Sequence, residues 1–206
     1  MSDFFVAFKK VAALLLCLAL ILSIACSCAS KTPQWKTAYL DFIEKEKDNY
    51  RTFAIVYIDN NDIPELYLSG IDEATGDCVC SYKNGNVIKQ SLHRIGGGWY
   101  VEKNGYIVNK NGHMGQEHTH TYKLDEDGFE LTFEALLSER AKEYLEETDE
   151  YTFDYEYSIA GKTVSEAEYN SAITANDTET DFKNAVQLNT TAVEYAAFKQ
   201  LIIEYR

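Results

Sequence analysis

From Asp77 to Phe133 the chain is cut into short runs by Asn84-Gly85, Gly96-Gly97-Gly98, Asn104-Gly105, Asn111-Gly112 and Asp125-Glu126-Asp127-Gly128. Asn-Gly suits the tight primed turn, whose two central residues take positive φ, so each such pair reads as a mark between antiparallel strands. The runs between the marks predict strands over Cys78–Tyr82, Val87–Leu92, Trp99–Val101, Tyr106–Val108, His118–Leu124 and Phe129–Phe133. Upstream, Arg51–Ile58 and Pro64–Ser69 flank Asn60-Asn61-Asp62 as a further hairpin. Together these runs make an antiparallel meander.

Helical signals stand on either side of it. Thr32 caps and Pro33 starts a helix in which Trp35, Tyr39, Phe42 and Ile43 recur at helical spacing. Ala135–Glu147 has helical composition, with Leu136, Leu137, Ala141, Tyr144 and Leu145. Tyr151–Tyr157 alternates as a strand, placing Tyr151, Phe153, Tyr155 and Tyr157 on one face, which we expect to pack under helices, with a groove for a carbohydrate or peptide as the alternative. Ser165-Glu166-Ala167-Glu168 and Thr191-Ala192-Val193-Glu194 are capping-box patterns, and the second opens a last helix with Val193, Ala197 and Leu201 on one stripe. The expected class is α+β, an antiparallel meander sheet with helices packed on one face, built as a single domain over residues 33–206.

The 206 residues carry 19 Lys and Arg against 33 Asp and Glu, a net charge of −14. Such a chain repels phosphate backbones, so nucleic acid is excluded as a partner. Residues 1–25 are a separate object. Lys9-Lys10 precede the apolar run Val11–Ile24, which is too short for a spanning helix and has the layout of a secretory signal. A retained anchor helix is the alternative. Ser23-Ile24-Ala25-Cys26 resembles the cleavage region of bacterial lipoprotein signals, which implies lipidation at Cys26, with Cys28 as the weaker alternative. Residues 26–32 then form a tether from a diacylated, palmitate-type lipid anchor, and the membrane is a partner through that anchor. Removing residues 1–25 takes Lys9, Lys10 and Asp3 and leaves 17 basic and 32 acidic side chains, a net charge of −15.

Trp35–Asp41, IVYIDNNDIPELYLSG, Tyr82-Lys83-Asn84-Gly85, Gly112-His113-Met114-Gly115 and Ile159–Asn170 form an ordered set. This set resembles a group of uncharacterised lipoproteins of gut-dwelling clostridia (Firmicutes). The resemblance implies the extracytoplasmic face of a Gram-positive cell membrane and no particular activity.

Three places carry chemistry. In the turn after Ile58, Asp59, Asn61 and Glu65 offer oxygens to calcium, and the turn resembles Asp-rich loops of secreted bacterial proteins. Tyr57 and Asp62 stand where that pattern has Asp and Gly, which favours a structural hairpin over a bound cation. His118-Thr119-His120 puts two imidazoles on one strand face, and with His113 they are candidate zinc ligands; the other reading is a solvated strand face. Trp99, Tyr100, Tyr106 and Tyr122 are candidates for an aromatic ligand surface. Cys78 and Cys80, two apart on a strand, read as small buried hydrophobes. No catalytic residue stands out. The function read from the sequence is therefore a non-catalytic binding or structural role at the cell surface, toward a small-molecule, glycan or protein ligand. The alternatives are a zinc hydrolase using His113, His118 and His120, and a calcium-stabilised carbohydrate- or peptide-binding module.

Overall fold

The computed structural model describes residues 32–205. The signal segment, Cys26, Cys28 and nearly all of the tether lie outside the described residues. No helix among the described residues is long and apolar enough to cross a membrane.

The fold is α+β, with two antiparallel sheets. Helix α1 (Gln34–Glu46) leads into β1 (Tyr50–Val56), β2 (Glu65–Gly70), β3 (Asp77–Lys83) and β4 (Asn86–Leu92). With β12 (Val193–Glu194) these form a five-stranded sheet in the order β12-β1-β2-β3-β4. The second sheet holds β5 (Gly98–Tyr100), β6 (Tyr106–His113), β7 (Gln116–Leu124), β8 (Phe129–Leu145), β9 (Glu150–Ile159), β10 (Lys162–Val164) and β11 (Val186–Gln187). Its order is β10-β9-β8-β7-β6-β5-β11. The meander expected as one sheet therefore divides, and the division falls at the glycine bend Gly96–Gly98. The first sheet is apolar on both faces and needs cover on both, and the split lets the second sheet cover the face that the helices do not.

Alternation sets the layers. Phe53, Leu66, Leu68, Cys78 and Cys80 point to one face of the first sheet, under Tyr39 and Ile43 of α1 and Phe198 and Ile202 of α3 (Tyr195–Glu204). Ala54, Val56, Tyr67 and Val79 point to the other, where they meet Ile107, Leu124 and Leu188. Cys78 and Cys80 are free thiols, both fully buried, and burial pushes the Cys80 thiol up. Helix α2 (Glu166–Glu179) covers the far face of the second sheet, where Asn176 accepts from the Thr121 hydroxyl at 2.9 Å and Tyr169 packs on Tyr157. Ser165 caps α2 with the expected capping box. The Thr191 pattern instead precedes a short strand, and α3 starts after Glu194 with no side-chain cap.

Two local expectations are corrected. The 135–147 segment is strand, not helix: β8 runs on to Leu145, paired with β7 up to Ser138 and with β9 from Ala135 to Leu145. Cross-strand pairing with the alternating Tyr151–Tyr157 run overrides the helical propensity of Ala-Lys-Glu-Tyr-Leu. The Asn111-Gly112 turn is absorbed into β6, and the chain reverses at Met114-Gly115, with φ of 51° and 77°. Asn84-Gly85 turns as expected, at 50° and 86°.

Candidate functional site

Beyond Ser138 strand β8 has only β9 beside it, and β10 pairs β9 only from Tyr157 to Ile159. Residues 139–156 are therefore a two-stranded arm standing off the sheet. Its register places Tyr144 opposite Tyr151, Ala141 opposite Phe153 and Glu139 opposite Tyr155. Tyr144, Tyr151, Phe153 and Tyr155 share one face and are 43–59% exposed. The face expected to pack under helices is thus open along most of its length, because α2 reaches only as far as Tyr157. The Tyr144 and Tyr151 rings lie 5.0 Å apart, and the Tyr144 hydroxyl donates to Asp149. On the opposite face Arg140–Glu156 and Lys142–Asp154 pair across the strands, each at 3.0 Å.

Where the arm joins the sheet, the β6–β7 turn makes an open groove of about 420 Å³. Its lining includes His113, Glu117, Leu137, Glu139 and Tyr155. The Glu139 N–H donates to the Gly115 carbonyl at 2.6 Å, which ties the arm's root to the turn. Gly115 has positive φ, and an added Cβ would lie 3.2 Å from the Glu139 carbonyl, so a side chain there is strained. Two carboxylates and an aromatic face in one groove, with no lysine or arginine in the lining, suit a cation.

His113 is exposed in this groove, apart from the other histidines. His118 and His120 lie on the face of β7 turned toward the first sheet, and His93, just past β4, joins them. Ring centroids are 5.8 Å apart for His93–His120, 5.9 Å for His118–His120 and 6.3 Å for His93–His118. Burial, with His120 and His93 adding to it, holds His118 below the ordinary histidine value. His93 is the member that spacing along the sequence did not point to. No group of three His, Cys, Asp or Glu side chains among the described residues stands at metal-ligating geometry.

The acidic turn is organised from within. Asp59 accepts from the Asn61 backbone and side-chain amides at 3.0 and 2.6 Å and from the Lys83 ammonium at 2.9 Å. Asn61 accepts from the Ile63 N–H at 2.6 Å. Glu65 turns inward, accepting from the Ile58 N–H at 2.9 Å and the Ser81 hydroxyl at 3.2 Å. The three candidate calcium ligands are thus directed to protein partners, and the cation beside Asp59 is Lys83.

Burial pushes the Glu65 carboxyl up to about 7, against the lowering effect of the Ile58 N–H, and the Asp59 charge raises it further. Because the folded value lies above the unfolded one, the stabilisation is full below the ordinary carboxylate range. It is lost as pH rises through about 7. Between pH 5 and 8 the wild-type chain is expected to lose about 2 kcal/mol more stability than Glu65→Gln, read from urea midpoints. Parallel pH profiles for the two would remove Glu65 as the cause.

The four sequence-read aromatics do not share a surface. Trp99 packs edge-on to Phe182 and donates to the Gly96 carbonyl at 3.1 Å, and Tyr106 donates to Glu179 at 2.8 Å, both on the α2 side. Tyr100 and Tyr122 pack into the core between the sheets. A scan against protein-family models and searches of curated proteins and of solved structures found no match to this chain.

Proposed function

We propose that this chain is an extracytoplasmic lipoprotein, lipidated at Cys26, whose folded part is a non-catalytic recognition module for a cationic polypeptide segment. The observation that carries the reading is the exposed aromatic face of the β8–β9 arm, rooted in the Glu117–Glu139–Tyr155 groove. Exposed rings in such a row are costly to leave in water and mark an interaction surface. Residues 139–156 hold eight acidic and two basic side chains, a net charge of −6. That charge repels anionic ligands and draws lysine- or arginine-rich chain. A lysine or arginine side chain seated in the groove meets two carboxylates and the Tyr155 ring, combining ion pairing with cation–π attraction. The lipid anchor holds the module at the outer membrane surface, where such a segment of another protein meets it.

The full chain, purified in detergent, is expected to bind a fluorescent octalysine peptide and not octaglutamate, measured by anisotropy. The double variant Glu139→Gln/Tyr155→Ala should weaken octalysine binding about tenfold, which corresponds to about 1.4 kcal/mol. Neutralising the exposed Glu126 and Asp127 instead should leave it unchanged. Equal loss in both variants would mean net charge alone holds the peptide, and the recognition site would be lost as an explanation.

A further inference from the structure

His93, His118 and His120 come from both sheets: His93 follows the last strand of the first, and the other two sit on β7 of the second. From this juxtaposition we propose that the three imidazoles form a site for a divalent transition metal of the zinc class, clipping one sheet to the other.

Two imidazoles on one tetrahedral zinc, with metal–nitrogen bonds near 2.0–2.1 Å, have ring centres roughly 5 Å apart. The three rings here stand 5.8–6.3 Å apart, in an almost equilateral triangle. The rings are within 23–28° of parallel, so binding an ion requires each side chain to close by about half an ångström and each ring to turn toward a common point. His93 is exposed and free to make that rotation, while its backbone is fixed. Its N–H donates to the Asn109 side-chain oxygen at 2.8 Å, and its carbonyl accepts from the Asn109 amide at 2.8 Å. Asn109 is fully buried, so the register of His93 against β6 is set by the protein core.

His120 supplies the second observation. Its Nε2 lies 3.5 Å from the Glu134 carboxylate. Its Nδ1 is buried with no hydrogen-bond partner among the described residues. With the Glu134 carboxylate beside Nε2, Nδ1 is the nitrogen left without a partner, the order found in carboxylate–histidine–metal arrangements. Imidazole donors select zinc, nickel or copper over calcium and magnesium. The site is separate from the arm and its groove, and it does not depend on the recognition reading.

The test uses the full chain in detergent, stripped with chelator and titrated with zinc sulfate against a chromogenic zinc chelator. Thermal unfolding is followed in parallel. We expect one zinc per chain bound through these residues, a higher melting temperature with zinc, and the intense visible absorption of a tetrahedral site when Co²⁺ replaces it. His93→Ala and His118→Ala should each weaken zinc about tenfold or more. His113→Ala should bind zinc as the wild type does. His93 is exposed, so its alanine variant keeps the fold, and equal metal-free melting temperatures check this. If His118→Ala fails to fold, His93→Ala decides alone. Zinc bound with wild-type affinity by His93→Ala, or no stoichiometric zinc in the wild type, would overturn the site.

Discussion

Lys83→Met is expected to lower the unfolding free energy by about 3–5 kcal/mol, because it breaks an ion pair that the fold has taken out of water. The Lys83 and Asp59 side chains are 13% and 12% exposed, with the ammonium 2.9 Å from the carboxylate. Without the ammonium, Asp59 keeps its two Asn61 donors but loses its counter-charge, and its neighbour Glu65 loses a cation that favours its ionised form. The variant should therefore also lose stability with pH more steeply than the wild type. Adding Asp59→Asn to Lys83→Met should recover part of the loss, since the stranded charge goes with it. Urea unfolding of the two single variants and the double variant gives the coupling directly. A cost for Lys83→Met below about 1 kcal/mol would place the pair among solvated surface bridges. The same variant examines the calcium reading of the turn: stability restored by calcium chloride would mean that Asp59, Asn61 and Glu65 accept a cation once Lys83 is gone.

The hairpins were legible because their information is local. Asn84-Gly85 states its own turn geometry, and Ser165 with Glu168 states its own cap. The helix expected over 135–147 failed where the information is not local. Ala-Lys-Glu-Tyr-Leu favours helix alone, and only the partner strands on either side hold it extended. The Asn111-Gly112 pair misled for a related reason. Two turn-competent pairs stand three residues apart, and the register of β6 against β7 selects the later one.

The site was legible in its parts and not in its assembly. That Tyr151, Phe153 and Tyr155 share a face follows from strand parity. That the face is open depends on where α2 stops, which no pattern within the strand encodes. His118 and His120 follow from parity too, but His93 joins them only because the two sheets pack face to face. His113, close to them in sequence, is carried to the arm's groove by the β6–β7 turn. Glu139 meets Tyr155 through the β8–β9 register, so a segment read as helix hid the part of the groove that Leu137 and Glu139 line.

Asp77→Ala is the other substitution with a large expected cost, about 3–5 kcal/mol, and its cause is unsatisfied donors more than lost volume. Asp77 is 4% exposed and accepts three hydrogen bonds: from the Tyr67 hydroxyl at 2.5 Å, the Ser69 hydroxyl at 3.0 Å and the Gly70 N–H at 3.1 Å. Tyr67 is itself 2% exposed, so once the carboxylate is gone water reaches its hydroxyl only through the polar cavity that it lines with Asp77. Ser69→Ala removes a single donor and leaves the acceptor satisfied, so it should cost only about 1 kcal/mol. The contrast between the two variants separates the loss of the hub from the loss of one spoke. Asp77 also lines a polar cavity of about 240 Å³ with Arg94 and Gly96–Gly98, the bend at which the chain leaves the first sheet for the second. The alanine variant should therefore raise amide exchange in that bend ahead of global unfolding, measured by hydrogen–deuterium exchange with mass spectrometry. Asp77→Ala unfolding within about 1 kcal/mol of the wild type would mean that water replaces the carboxylate freely and that the hub does not hold this end of β2 and β3 in place.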